Sequence, residues 1–388
     1  MVRLLSLFFS ATLALATSGA GAAEILIGFA NPLTGPYAAT GSRNRAAAEL
    51  AVEDLNAAGG VLGREVRLFA EDDACGVEQA VAAAQRLVEA KVPFVVGHMC
   101  SHSSLLAAGI YEVANVVMIS PSSTHPRLTE EGRRNVFRVI GRDDRQGRLA
   151  GDFLAEHWAD RAIAILHDGS TYGAGLAAET RRRLSAHGLH EVLYEAYAPG
   201  EQDYAALAAR LRDAGVEVLY IGGYGPDAAR ILLAVQKQGG HPQLIGGDAL
   251  AMDEFWAVAG PAGEGTIFSG PPDAEAPTGA ASVLERLRSR GLGQNPGGIR
   301  AYAAVQLWAA AAERAGSIEP AAVSETLRRG RFETAIGPVA FDEKGDLEGA
   351  DWRWKVWSEG AHSEAEFAAR PAFSASDVAT GRSLLFQR

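Results

Sequence analysis

Short runs of Val, Ile, Leu and Phe alternate along most of this chain with longer stretches in which apolar residues recur every three or four positions. The run "EILIGFA" (24–30) predicts a strand, "RNRAAAELAVEDLNAAGG" (43–60) a helix closed by glycines, and "EVRLFAEDD" (65–73) a second strand. A helix at "EQAVAAAQRLVEA" (78–90) and strands at "VPFVVGH" (92–98) and "VVMISPSS" (116–123) continue the rhythm. It restarts at "RAIAILHDGS" (161–170) and passes through the helix "LAAETRRRLSAHG", the strand "HEVLYEAY" and the helix "YAALAARLRDAG". The strand "VEVLYIGGY", the helix "DAARILLAVQKQG" and the strand "PQLIGGDAL" complete the second series. Strand, helix, strand in unbroken series predicts an α/β protein with parallel sheets covered by helices on both faces.

Two such series, parted near "IGRDDRQG" (140–147), predict two doubly wound lobes. No low-complexity linker separates them, so the chain is expected to cross between lobes through several short strands, a multi-strand hinge. The expected first lobe comprises residues 24–142 and 271–350, and the second comprises 143–270 and 351–375. "GPVAFDEKGDLEG" (337–349) reads as a hairpin-like turn with Gly345 near its tip, ahead of the aromatic strand "DWRWKVW" (351–357). The last residues, 376–388, read as a loose tail.

The first 23 residues change the picture of where the protein works. Arg3, the apolar run "LLSLFF" and the small residues of "ATLALATSGAGAA" have the order of a cleaved export signal, with the cut expected after Ala22 or Ala23. Arg3 is the one basic residue lost with it, so the net charge moves from −11 to −12. Such a surface disfavours nucleic acid and anionic membranes. No later apolar run approaches the ~20 residues of a bilayer span, and a periplasmic product is expected.

"GHMCSHSS" (97–104) sets His98, Cys100 and His102 at alternating positions, which invites a metal or a nucleophile. An exported chain with only two cysteines favours pairing Cys75 with Cys100 instead. The bond would close a loop of 25 residues and contribute roughly 3 kcal/mol in the chain-entropy account. It would also remove the thiolate that either alternative needs. His102 is then expected to be a solvated loop residue.

Parallel sheets bind ligands beyond the carboxyl ends of their strands. Those positions hold Ser101, Ser122, Ser123, Thr124, Tyr172, Tyr224 and Asp248. Hydroxyls and N–H groups suit a carboxylate, an acid suits an ammonium, and rings exclude water, so the set fits a small zwitterion. Each has a plainer reading, the serines and Asp248 as helix caps and the tyrosines as half-buried core. Their recurrence at successive strand ends is the better guide. Neither G-x-G-x-x-G nor a P-loop follows the first strand, which argues against a nucleotide enzyme. No nucleophile, base and orienting group fall together either, so no catalysis, cofactor or metal is expected.

In "DDAC" (72–75), "GHMCS" (97–101), "TYGAGLA" (171–177), "IGGYGPD" (221–227) and "FDEKGDL" (341–347), the chain resembles the leucine/isoleucine/valine-binding proteins of ABC transporters, with the type I periplasmic binding-protein fold. The resemblance runs from about Glu24 to about Trp357. It implies a monomeric two-lobe clamp that closes on a free amino acid and delivers it to an ABC permease of the inner membrane. By resemblance, Ser101 and Thr124, with the backbone near Ser122, hold the ligand carboxylate. Tyr172 closes over it and Tyr224 lines the site. Asp248 stands where the leucine-type proteins carry a glutamate for the ammonium group. Thr40 replaces a first-loop aromatic, Ser122 and Ser123 replace alanines, and His102 replaces a small hydroxyl residue, which together imply a more polar pocket. A different small ligand (an amide, a urea, an aromatic acid) or a sensor role would use the same clamp.

Overall fold

The computed structural model describes residues 23–272, 280–291 and 296–367, so the expected export signal and the expected tail at 376–388 lie outside the described residues. Strands β1 (Ile25–Asn31), β2 (Val66–Asp72), β3 (Phe94–Gly97), β4 (Val117–Ser120) and β5 (Val136–Arg138) form one parallel sheet in the order β2-β1-β3-β4-β5. Between them run α1 (Ala38–Ala57), α2 (Val77–Glu89), α3 (Ser101–Val113) and the single turn α4 (Arg127–Glu130). The strands carry near-continuous apolar runs because both faces are covered. Phe29, Phe94, Val96 and Ile119 pack on one side, where the Phe94 ring stacks on Trp308 at 5.3 Å. Val95 and Met118 pack on the other side, against Leu87, Ala107 and Tyr111.

The chain then crosses to a second unit. Helix α5 (Asp143–Trp158) leads into β6 (Ile163–His167), α6 (Thr171–Ala186), β7 (Leu193–Ala196), α7 (Ala205–Asp213), β8 (Val218–Gly222), α8 (Gly225–Lys237) and β9 (Gln243–Gly246). A 3₁₀ turn at Asp248–Ala251, α9 (Asp253–Ala259) and β10 (Ile267–Gly270) follow. The chain next returns to the first lobe, where α10 (Ala280–Ser289), α11 (Pro296–Ala315), α12 (Pro320–Arg329) and the hairpin β11 (Arg331–Thr334) and β12 (Gly337–Ala340) close its core. It crosses a third time into β13 (Arg353–Ser358) and β14 (Ala361–Glu364), which complete a sheet ordered β14-β13-β10-β9-β8-β6-β7.

This second sheet is not wholly parallel, unlike the expectation. β13 enters from the other lobe in the reverse direction and pairs antiparallel with β10, and the short β13–β14 hairpin covers the edge. Strand β5 has only three residues and β10 only four, too few for apolar periodicity to reveal them. The turn expected at 337–349 is present: Phe341 and Leu347 bridge, and Gly345 sits between them at φ 98°, where its missing side chain leaves room for the Val136 carbonyl.

Candidate functional site

Strand order fixes where a cleft opens. In the first sheet β1 and β3 are neighbours whose outgoing connections diverge, and in the second sheet β6 and β8 do the same. Loops leaving such a switch point part and expose helix N-termini. Both switch points face one cavity of about 80 Å³. The first lobe contributes Thr40 after β1, Met99 and Ser101 after β3, Pro121, Ser122 and Thr124 after β4, and Ile140 after β5. The second contributes Tyr172 after β6, Tyr224 after β8, and Asp248, Ala249, Ala251 and Met252 after β9, while Pro271 and Gly297 complete the wall.

Ser101 is the first residue of α3, whose N-cap is Cys100 and has no side-chain cap. The opening N–H groups of that helix are therefore available to an anion. The Cys75–Cys100 disulfide, with Cα atoms 5.6 Å apart, fixes this corner. The residues from Ser101 to Val113 are helical rather than extended, so His98, Cys100 and His102 share no strand face. His98 is buried between the Asp73 carboxylate at 2.6 Å and the Tyr111 hydroxyl at 3.1 Å. His102 is not the free loop residue expected: its Nε2 lies 2.7 Å from the Cys75 carbonyl.

The loop after β4 separates its three hydroxyls. Ser122 and Thr124 line the cavity. Ser123 does not. Its Oγ lies 2.6 Å from Ser104 Oγ and within 3.2 Å of the His98 and Met99 carbonyls, which ties the loop to β3. Alternate residues of an extended segment point to opposite sides, so one member of "SST" had to turn inward.

Opposite the serines, Asp248 accepts hydrogen bonds from the Tyr172 hydroxyl at 2.9 Å and from Gln146 Nε2 at 3.1 Å. Burial pushes its carboxyl above the ordinary aspartate range, and those two donors and Arg300 pull it partly back. Asp143, the first residue of α5, is fully buried and is raised further by burial and by the Asp248 charge. Arg300 donates from Nη1 to the Val139 carbonyl at 2.9 Å and is pushed down to about 10 by burial, with the Asp248 charge opposing. The tyrosines form a cluster of tilted rings: the ring of Tyr224 stands 4.7 Å from Tyr37 and 5.3 Å from Tyr172.

Tyr37, Ile140, Asp143, Gln146 and Arg300 are not singled out by the sequence: Asp143, Gln146 and Arg300 enter from α5 and α11, Tyr37 immediately precedes α1, and Ile140 follows β5, a strand too short to be read from periodicity. Asp143 had one signal, an acid in the segment "IGRDDRQG" where the two series part. Arg300, in α11, had none. Of the four residues expected to make the pocket more polar, Thr40 and Ser122 line the cavity and Ser123 and His102 do not. Thr40 lines the cavity with its hydroxyl and N–H both turned to Glu254. With Ser123 and His102 turned away, Met99, Ile140, Ala249, Ala251, Met252 and Pro271 make the wall largely apolar.

Two lobes on parallel sheets, clasping a cavity with a helix N-terminus on one side and a carboxylate on the other, define a recognisable architecture. The profile of periplasmic binding proteins matches residues 24–350. The chain belongs to that family. Among periplasmic binding proteins it is 39% identical over 363 residues to the leucine-, isoleucine-, valine-, threonine- and alanine-binding protein of Pseudomonas aeruginosa, covering 92% of this chain and 97% of that one. It is 37% identical over 348 residues to Leu/Ile/Val-binding protein homolog 1 of Brucella suis, covering 89% and 94%. The branched-chain amino acid transporter substrate-binding protein of Streptococcus pneumoniae, solved with isoleucine, superimposes with a TM-score of 0.80 at 25% identity, covering 88% of this chain and 99% of that one. Among the described residues no helix is long and apolar enough to cross a membrane.

Proposed function

We propose that this periplasmic binding protein is exported, captures a free aliphatic amino acid between its lobes, and presents it to an ABC permease as a monomer. In this reading the first lobe is residues 24–142 with 271–350, and the second is 143–270 with 351–375. The ligand carboxylate meets the first N–H groups of α3 with the hydroxyls of Ser101, Ser122 and Thr124, while Asp248 takes the ammonium group. Tyr172 and Tyr224 close over it from the second lobe and exclude water.

The observation that carries this reading is the pairing of the uncapped α3 N-terminus with the Asp248 carboxylate across a small apolar-walled cavity. The cavity, about 80 Å³, is several times the roughly 10–15 Å³ that a cavity needs to hold one water, so it has room for a small organic ligand. The relatives from Pseudomonas and Brucella, named for aliphatic amino acids, support the same ligand class. An aromatic acid without an amino group would offer the buried Asp248 carboxylate no cation, only the Tyr172 and Gln146 donors it already has, which is costly.

Calorimetry of the mature protein against a panel tests this. Leucine, isoleucine, valine, alanine and threonine should include the tightest ligand, and urea, simple amides and benzoates should bind weakly. A benzoate or amide that bound more tightly than every amino acid would overturn the reading.

A further inference from the structure

Helix α1 begins without a cap of its own. Its N-cap is Tyr37, which makes no side-chain capping bond, and its first turn holds no acidic residue. The missing acceptor arrives from the opposite lobe. Glu254, in the first turn of α9, accepts the Thr40 N–H at 2.7 Å through Oε1 and the Thr40 hydroxyl at 2.6 Å through Oε2. One turn further along α1, Arg43 forms an ion pair with Asp253. Thr40 lines the cavity, and so do Ala251 and Met252 just before α9, so these contacts sit at the cavity wall.

We propose that Glu254 is a positioning residue that latches the clamp, capping α1 from the other lobe, seating Thr40 in the cavity wall and setting how long a ligand stays bound. The proposal rests on the reading of the cavity as an amino-acid site. The physical case is that one carboxylate serves three needs at once. It satisfies an orphan N–H of a helix start, places negative charge at the positive end of the α1 dipole, and uses up the only proton of a hydroxyl in the cavity wall. When the lobes part, water replaces both hydrogen bonds and screens the charge, so the gain belongs to the closed state alone. A contact present only in the closed state raises apparent affinity by shifting the population toward closure, without touching the ligand. Because the ligand leaves only after the lobes part, the gain should appear in the dissociation rate. Because Thr40 has no proton left to offer, the latch also leaves a methyl group as its contribution to the ligand side chain.

Stopped-flow fluorescence with valine and isoleucine as probes tests the latch in the mature protein. Glu254→Ala should speed dissociation roughly tenfold, the scale of a lost capping contact, with association changed less than about twofold. The order of preference between the two ligands should be kept, and the ligand-free protein should unfold at the same urea concentration. Thr40→Val combined with Glu254→Ala should be little worse than Glu254→Ala alone, because the two side chains share one bond. An unchanged dissociation rate would overturn the proposal, as would an equal loss of stability in the ligand-free protein. If the wild-type protein bound no amino acid, the functional reading would fail separately. Hydrogen exchange at the Thr40 amide would still judge the latch: faster exchange in Glu254→Ala than in wild type supports it, and equal exchange refutes it.

Discussion

Arg138 Nε lies 2.6 Å from Asp346 Oδ1, joining the end of β5 to the turn after β12 inside the first lobe. The same guanidinium donates to the carbonyls of Ser123 at 3.1 Å and His125 at 3.0 Å and to the Thr129 hydroxyl at 2.7 Å. Asp346 also accepts from Arg142 at 2.8 Å and from Thr129 at 2.9 Å. The loop that carries Ser122 and Thr124 is thus wound around a buried arginine whose charge is balanced from "FDEKGDL". Removing one partner of a buried pair typically costs about 3–5 kcal/mol. Asp346→Ala is expected to lower the urea-unfolding free energy by about that much, and to weaken ligand binding further through the loosened loop.

Tyr172→Phe keeps the ring and removes one oxygen. That hydroxyl donates to Asp248 and accepts the Ala249 N–H at 3.3 Å. Hydrogen bonds to charged groups are worth about 1.5–3 kcal/mol, so urea unfolding should show a loss of up to about that size, and calorimetry a weaker affinity because Asp248 is less firmly held. The ring contact with Tyr224 remains, and the fold should be kept.

His125 reports on its surroundings by its titration. Its ring packs on Gly175 of α6, so a methyl group there would approach to 2.9 Å. Burial, with Arg127, Arg138 and Arg142 nearby, lowers its pKa to about 4. Between about pH 4 and 6.5 the unfolded chain therefore binds a proton that the folded protein refuses. That group's contribution to stability falls as pH drops through this window. An NMR titration should place the His125 midpoint near 4, and His125→Gln should flatten the loss of stability on acidification.

Asp143 works in the opposite sense. Burial and the Asp248 charge raise its pKa well above the usual value, and the Thr124 hydroxyl offsets only part of this. The folded protein then holds a proton that the unfolded chain has released, so this group's contribution to stability falls as pH rises above about 4. Asp143→Asn should make the ligand-free protein more stable at neutral pH and flatten that decline, measured by urea unfolding at a series of pH values.

Much of this was legible in the sequence. Alternating apolar runs led to both sheets, and the rule that ligands gather beyond strand ends led to Ser101, Ser122, Thr124, Tyr172, Tyr224 and Asp248, all of which line the cavity. The pairing of Cys75 with Cys100 followed from two cysteines in a chain expected to be exported. What stayed hidden depends on contacts between distant segments. Ser123 could not be told from its neighbours without knowing which way the loop turns. Thr40 read as polar because its partner, Glu254, lies 214 residues away. Arg300 lies on α11, a helix whose place beside the second-lobe acid only the hinge crossings decide. β13 reads as a strand and β14 does not, and their antiparallel direction depends on the third crossing between lobes.

The central claim is that the cavity reads both ends of a zwitterion. Calorimetry comparing L-leucine with 4-methylpentanoate, which lacks the amino group, and with 3-methylbutylamine, which lacks the carboxylate, tests it most directly. Leaving Asp248 without its cation should cost on the order of 2–5 kcal/mol, so the deaminated acid should bind at least about thirtyfold more weakly than leucine, and the amine more weakly still. Equal affinity for leucine and 4-methylpentanoate would contradict the account.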